Sequence, residues 1–93
     1  MLITSVQLSL RLYASSSLKE KRFVLSSVKQ RLRNRFNLSV SEIGGQESWR
    51  EAELGIAFVT QEKAQADSSV EAVTRFLDGD GRFEIVHRVV EYF

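Results

Sequence analysis

Residues Ser17–Phe36 read SLKEKRFVLSSVKQRLRNRF and specify a helix by two separate signals. The first is a capping box: the Ser17 hydroxyl accepts from the amide three residues on, and Glu20 reaches back to the amide of Ser17. The second is periodicity. At roughly 100° per residue, Leu18, Val24, Leu25, Val28 and Leu32 fall on about a third of the helix circumference. Lys19, Arg22, Lys29 and Arg33 form a stripe beside that face, with Lys21, Arg31 and Arg35 elsewhere. From Leu18 to Phe36 there are seven basic residues against Glu20 alone, a formal +6 in a chain of net +1, so the remainder sums to −5. The molecule is a charge dipole with one basic helix.

Upstream, Leu2, Val6, Leu8, Leu10 and Leu12 alternate with Ser5, Gln7, Ser9 and Arg11, the period of a half-buried strand over residues 2–13. Ala14–Ser17 connects it to the helix. Downstream, Phe36, Leu38 and Val40 alternate with Asn37, Ser39 and Ser41, a second strand through about Ile43. Gly44-Gly45 interrupts it, and Gln46–Arg50 completes a hairpin connection. Leu54, Ile56 and Phe58 alternate with Glu53, Gly55 and Ala57 in a third strand ending near Thr60. A second helix follows from Glu62 or Lys63 to Leu77, with Ala66, Val70, Val73 and Leu77 on one face and Gly79 placed to cap it. Phe83–Tyr92 is a fourth strand, rich in valine, isoleucine and aromatics, with Phe83, Ile85 and Val89 on one parity and Val86 and Val90 on the other.

Strand, helix, strand, strand, helix, strand with right-handed crossovers gives a ferredoxin-like α+β sandwich. Its antiparallel sheet has spatial order 4-1-3-2, and both helices cover one face. The open face then shows Ile3, Ser5, Gln7, Ser9 and Arg11 from strand one and Glu53, Gly55, Ala57 and Val59 from strand three. Ninety-three residues make one domain, 1–93, able to bury a single core. The chain has no cysteine, which excludes disulfides, thiolate nucleophiles and cysteine zinc sites. The opening MLITSVQLSLRLY lacks the form of a signal peptide, and no apolar run approaches the ~20 residues of a membrane span. A soluble, cytoplasmic protein with no membrane partner is the expectation.

SLKEKR at the helix start, RLRNRFNLSVSE leading into strand two, then Trp49 and ELGIAFV together resemble the YlxP-like family of small bacterial domains of unknown function. The resemblance covers most of the chain and implies a ferredoxin-like fold. Genes of this family often lie beside those for translation initiation and ribosome maturation factors. That context implies ribosomal RNA or a ribosomal subunit as partner; it transfers no catalytic residue.

The candidate RNA-binding residues are Lys19, Lys21, Arg22, Lys29 and Arg33, since regularly spaced cations displace the counterions condensed on a phosphate backbone. The bland alternative is a solvated helix face paired with the acidic remainder. Ser15-Ser16-Ser17 with nearby cations resembles a phosphate cradle, but plain capping accounts for Ser17. Stacking of single-stranded RNA on the sheet is not expected, because strands one and three carry serine, glutamine, glycine, alanine and glutamate on the open face instead of aromatics. That small, low-charge face is instead suited to a homodimer. Acylphosphatase chemistry requires an arginine in a glycine-rich first loop and an asparagine on strand three; both are missing. His87 is the one histidine and has no acid–histidine pattern around it, so neither a triad nor a metal site is built on it. Asp78-Gly79-Asp80-Gly81 lacks the later ligands of a calcium loop and reads as a helix cap and turn. Glu42, Glu47 and Glu53 flank the Gly44–Trp49 loop, and Trp49 reads as a hairpin anchor. No enzyme activity and no cofactor are expected. The alternative to RNA binding is a protein-interaction module, oligomeric through its sheet, whose basic helix docks an acidic protein.

Overall fold

The computed structural model describes residues 1–93. Six elements follow in the expected order: β1 Leu2–Leu12, α1 Leu18–Arg35, β2 Ser39–Gly44, β3 Glu51–Thr60, α2 Lys63–Asp78 and β4 Phe83–Tyr92. The sheet order is β2-β3-β1-β4 with every pair antiparallel, which is the ferredoxin-like sandwich. Thr4, Val6, Leu8, Leu10 and Leu12 of β1 and Ala52, Leu54, Ile56 and Phe58 of β3 are buried beneath the helices. From above, α1 contributes Leu25, Val28 and Leu32, and α2 contributes Ala66, Val70, Val73 and Leu77. Each large aliphatic side chain buried this way stabilises by about 1.5–3 kcal/mol, so truncating Leu32 to alanine removes more than any exposed residue can supply.

Two sequence expectations need correction. Strand two does not begin at Phe36: Phe36 is the C-cap of α1. Its ring meets Phe76 of α2 edge-on, with centroids 5.6 Å apart, so the pairing of aromatics across the two helices overrides the local alternation. In β4 the faces exchange partway along. A register shift opposite Ser9/Leu10 puts Ile85 against Leu10 but Arg88 against Leu8 and Val90 against Val6. Phe83, Ile85 and Val90 therefore all face the helices although Val90 belongs to the other parity, and Val89, expected on the same face as Phe83 and Ile85, pairs with Gln7 on the open face.

The opposite face of the sheet carries nothing. Ile3, Ile43, Val59, Val86 and Val89 remain exposed on or beside it. Gly55 lets Ile43 lie across the sheet, since a Cβ there would stand 2.8 Å from Ile43 Cγ2.

Candidate functional site

The start of α1 is fixed by its own serines. Ser17 Oγ accepts from the Glu20 amide at 3.1 Å. Glu20 reaches one residue further back than the sequence suggests, accepting from the Ser16 amide at 2.7 Å and the Ser16 hydroxyl at 2.9 Å. The Ser16 amide, helped by its hydroxyl, holds the Glu20 carboxyl below the usual carboxylate range. Ser15 Oγ donates to Ser17 O at 3.1 Å. The Ser15 and Ser16 hydroxyls are spent as donors within this turn and Ser17 Oγ accepts from the first turn of the helix, so all three serines are accounted for by local structure.

Lys21 does not belong to the surface. It is 2% exposed and shares a face with Leu25, Val28 and Leu32. Its Nζ donates to Gly45 O and, at 2.8 Å, to Ser48 O, with Glu42 Oε2 at 3.6 Å. A buried ammonium needs such partners. Gly45 presents its carbonyl from a turn with φ +75, a conformation that favours glycine. Lys21 is thus the pin of the β2–β3 loop and is withdrawn from the set of RNA-binding residues.

The other four predicted residues stay together on one flank of α1. Lys19, Arg22 and Arg33 are exposed and Lys29 is half-buried. Six of the thirteen basic residues of the chain form ion pairs: Arg11, Lys21, Arg31, Lys63, Arg82 and Arg88. Of the remaining seven, five lie on α1: Lys19, Arg22, Lys29, Arg33 and Arg35. Arg33 donates to Val40 O at 3.1 Å, which holds its guanidinium beside the edge strand. Arg35 lies over the Phe76 ring at 5.4 Å.

On the other flank, Arg82 grips Asp80 through two bonds of 2.6 and 2.8 Å and touches Ser27 Oγ at 3.2 Å. Arg31 adds a contact to Asp80 at 2.9 Å. The Arg82 guanidinium pulls the Asp80 carboxyl below its ordinary range, and Asp80 in turn raises Arg82. The clamp ties the α2–β4 turn to α1, and the aspartates of the glycine turn serve structure.

Between that turn and the start of α1 lies a groove of about 650 Å³ that the sequence did not disclose. Leu12, Tyr13, Phe23, Val24 and Arg82 line it, with Lys19 and Glu20 at its mouth. Phe23 is 73% exposed and Tyr13 56%. Trp49, 57% exposed, is held near the same end of the molecule. The preceding carbonyl, Ser48 O, accepts from Lys21, and the following side chain, Arg50 Nε, donates to Ser15 O at 3.1 Å. The available sequence signal was Phe23 itself, an aromatic opposite the apolar face of its helix. Glu42, Glu47 and Glu53 do not converge, and no group of three or more histidines, aspartates or glutamates is placed to hold a metal.

These features define a small ferredoxin-like sandwich with one basic helix flank and an exposed aromatic end. A family model described as "Protein of unknown function (DUF503)" matches residues 3–89, and the chain belongs to that family. It is 38% identical over 82 residues to "Uncharacterized protein YlxP" of Bacillus subtilis (strain 168), covering 88% of this chain and 89% of that one. Among solved structures it resembles the de novo designed protein Foldit4, with TM-score 0.50 at 16% identity over 98% of this chain and 96% of the other. A second designed protein, described as having a ferredoxin fold, gives TM-score 0.45 at 13% identity over 100% of this chain and 84% of that one. No helix is long and apolar enough to cross a membrane.

Proposed function

We propose that this protein is a non-catalytic, cytoplasmic RNA-binding accessory factor that grips the backbone of structured RNA, ribosomal RNA first among candidates, with the exposed flank of α1. The supporting observation is the distribution of unpaired positive charge: five of the seven basic residues without a carboxylate partner lie on this one helix. Lys19 to Arg33 spans about 21 Å along the axis, comparable to several consecutive phosphates. The wide, shallow groove of A-form RNA favours such backbone contacts over base reading. With about three or four phosphates neutralised, log affinity falls against log salt with a slope of about −2 to −4. Anisotropy of a labelled duplex RNA, titrated with parent and with Arg22→Gln/Lys29→Gln/Arg33→Gln, tests this. The triple variant keeps its helix propensity and loses most of the affinity and slope. If it binds as the parent does at low salt, the helix is a solvated surface.

The sheet supports a second element of the proposal, a homodimer. Four strands about 4.8 Å apart, mostly ten residues long at ~3.3 Å each, offer about 550 Å² per copy. Two copies face to face then bury about 1,100 Å², which clears the ~1,000 Å² that a specific interface requires. The apolar residues Ile3, Ile43, Val59 and Val89 give that face a reason to be covered.

A further inference from the structure

We infer that the groove between Tyr13 and Phe23 is a pocket for an unpaired nucleobase of single-stranded RNA, an inference that rests on the RNA-binding role of α1 and specifies which part of the RNA is taken. Phe23 projects from the side of α1 opposite its buried face, where an aromatic side chain supports no core. Phe23, 73% exposed, and Tyr13, 56% exposed, do not stand singly but border one groove, so covering it removes two aromatic side chains from water together. The one ring–ring contact of the chain joins Phe36 and Phe76, so Tyr13 and Phe23 border the same groove without stacking on each other. A planar group entering there finds two aromatic side chains, Tyr13 and Phe23, in the lining together with the apolar Leu12 and Val24. The volume, about 650 Å³, lies within the range of small-ligand sites.

The charges at the rim select the occupant. Glu20 at the mouth is committed to the Ser16 amide and hydroxyl, and nearby Asp80 is committed to Arg82 and Arg31. Lys19 lines the groove with no carboxylate partner, and Arg22, beside Phe23 in sequence, has none either. The same two cations begin the basic flank. A strand whose phosphates follow that flank reaches Phe23 past Lys19 and Arg22, with the ionised Glu20 the one carboxylate of the groove that no cation pairs, and its first unpaired base finds a stacking surface. Bases stack on aromatics irrespective of sequence, and unpaired nucleotides are the part of RNA that can be splayed out to do so.

The test compares a blunt RNA duplex with the same duplex carrying an unpaired uridine overhang, using parent, Phe23→Ala and Phe23→Trp. The exposure of Phe23 makes both variants fold as the parent does, which thermal melting confirms. The overhang binds the parent about tenfold or more tighter than the blunt duplex. Phe23→Ala removes that gain and leaves blunt-duplex affinity unchanged, and Phe23→Trp retains it. An overhang that adds nothing, or a Phe23→Ala loss equal for both RNAs, overturns the pocket while leaving the basic flank standing. Blunt duplex unbound by the parent at low salt, with overhang binding that still depends on Phe23, overturns the flank and keeps the pocket. Failure of both RNAs to bind overturns both.

Discussion

Replacing Lys21 by methionine keeps the aliphatic stem in the core and removes only the ammonium. Two partners are then orphaned, the carbonyl of Ser48 and the Glu42 carboxylate, whose buried Oε2 has this cation as its ion-pair partner and no hydrogen bond; Gly45 O loses the ammonium but keeps the Ser48 amide at 3.1 Å. Hydrogen bonds to a charged group contribute about 1.5–3 kcal/mol each, and breaking a fully buried pair costs about 3–5 kcal/mol. The Glu42 side chain is 22% exposed and recovers some hydration, which places the loss near 3 kcal/mol. For a domain of this size that is a fall in Tm of about 12–24 °C. Chemical denaturation followed by the single tryptophan measures it directly, because Trp49 sits in the loop that Lys21 pins. Trp49 anisotropy in the native state falls as well, since Ser48 is released. Adding Glu42→Gln removes the uncompensated charge and returns at least about 1 kcal/mol, a coupling expected of residues in contact. A Lys21→Met variant within about 0.5 kcal/mol of the parent, with unchanged anisotropy, refutes the assignment of Lys21 as the pin.

Three further outcomes concern Thr4, Asp80 and Ala57. Thr4 is buried and its Oγ1 has no partner, so Thr4→Val, nearly the same shape, raises stability by about 1 kcal/mol in denaturant titrations. Asp80→Asn costs on the order of 1–2 kcal/mol at neutral pH. Because the folded-state pKa of Asp80 is depressed, that contribution is present above the unfolded value of about 3.9 and is lost as pH falls through the folded one. Parent and Asp80→Asn stabilities therefore converge only in acid, and a constant difference down to the acid limit contradicts the clamp. Ala57 pairs with Ser5 and Ser39 in the middle of the open face, so Ala57→Arg dissociates the proposed dimer and leaves the fold intact. Sedimentation of a purely monomeric parent at about 100 µM, well above ordinary specific affinities, removes the dimer altogether.

The fold was legible because its signals are local. Alternation in β1 and β3, the Ser17 cap, and the spacing of Ala66, Val70, Val73 and Leu77 each lie within one element, and right-handed connection leaves one simple way to join them. What escaped was set by distant partners. Lys21 stands four residues before Leu25 and seven before Val28, inside the apolar arc, but its charge disguised it; the carbonyls that permit its burial are 24 and 27 residues away. The side exchange in β4 comes from a bulge opposite Ser9/Leu10, and period-two reading fails at any bulge. The aromatic groove needed Tyr13, just past the end of β1, and Phe23 of α1 brought to one place, with Trp49 of the hairpin loop held toward the same end through Ser48 and Arg50. The stripe of Lys19, Arg22, Lys29 and Arg33, by contrast, lies on one side of α1 as its spacing implied, since four residues on one side of a helix are fixed by helical geometry alone.

The most direct test of RNA binding by α1 is a map of where RNA touches the protein. Amide chemical shifts of isotopically labelled protein, followed as duplex RNA is added at low salt, report every residue at once. Binding along the basic flank moves the signals of Lys19, Arg22, Lys29, Arg33 and their neighbours, leaves Ser5, Gln7, Gly55 and Ala57 in place, and reverses on addition of salt. Shifts centred on the open sheet face, or none at all at RNA concentrations of about 10⁻⁴ M, where even non-specific binding is expected, contradict it.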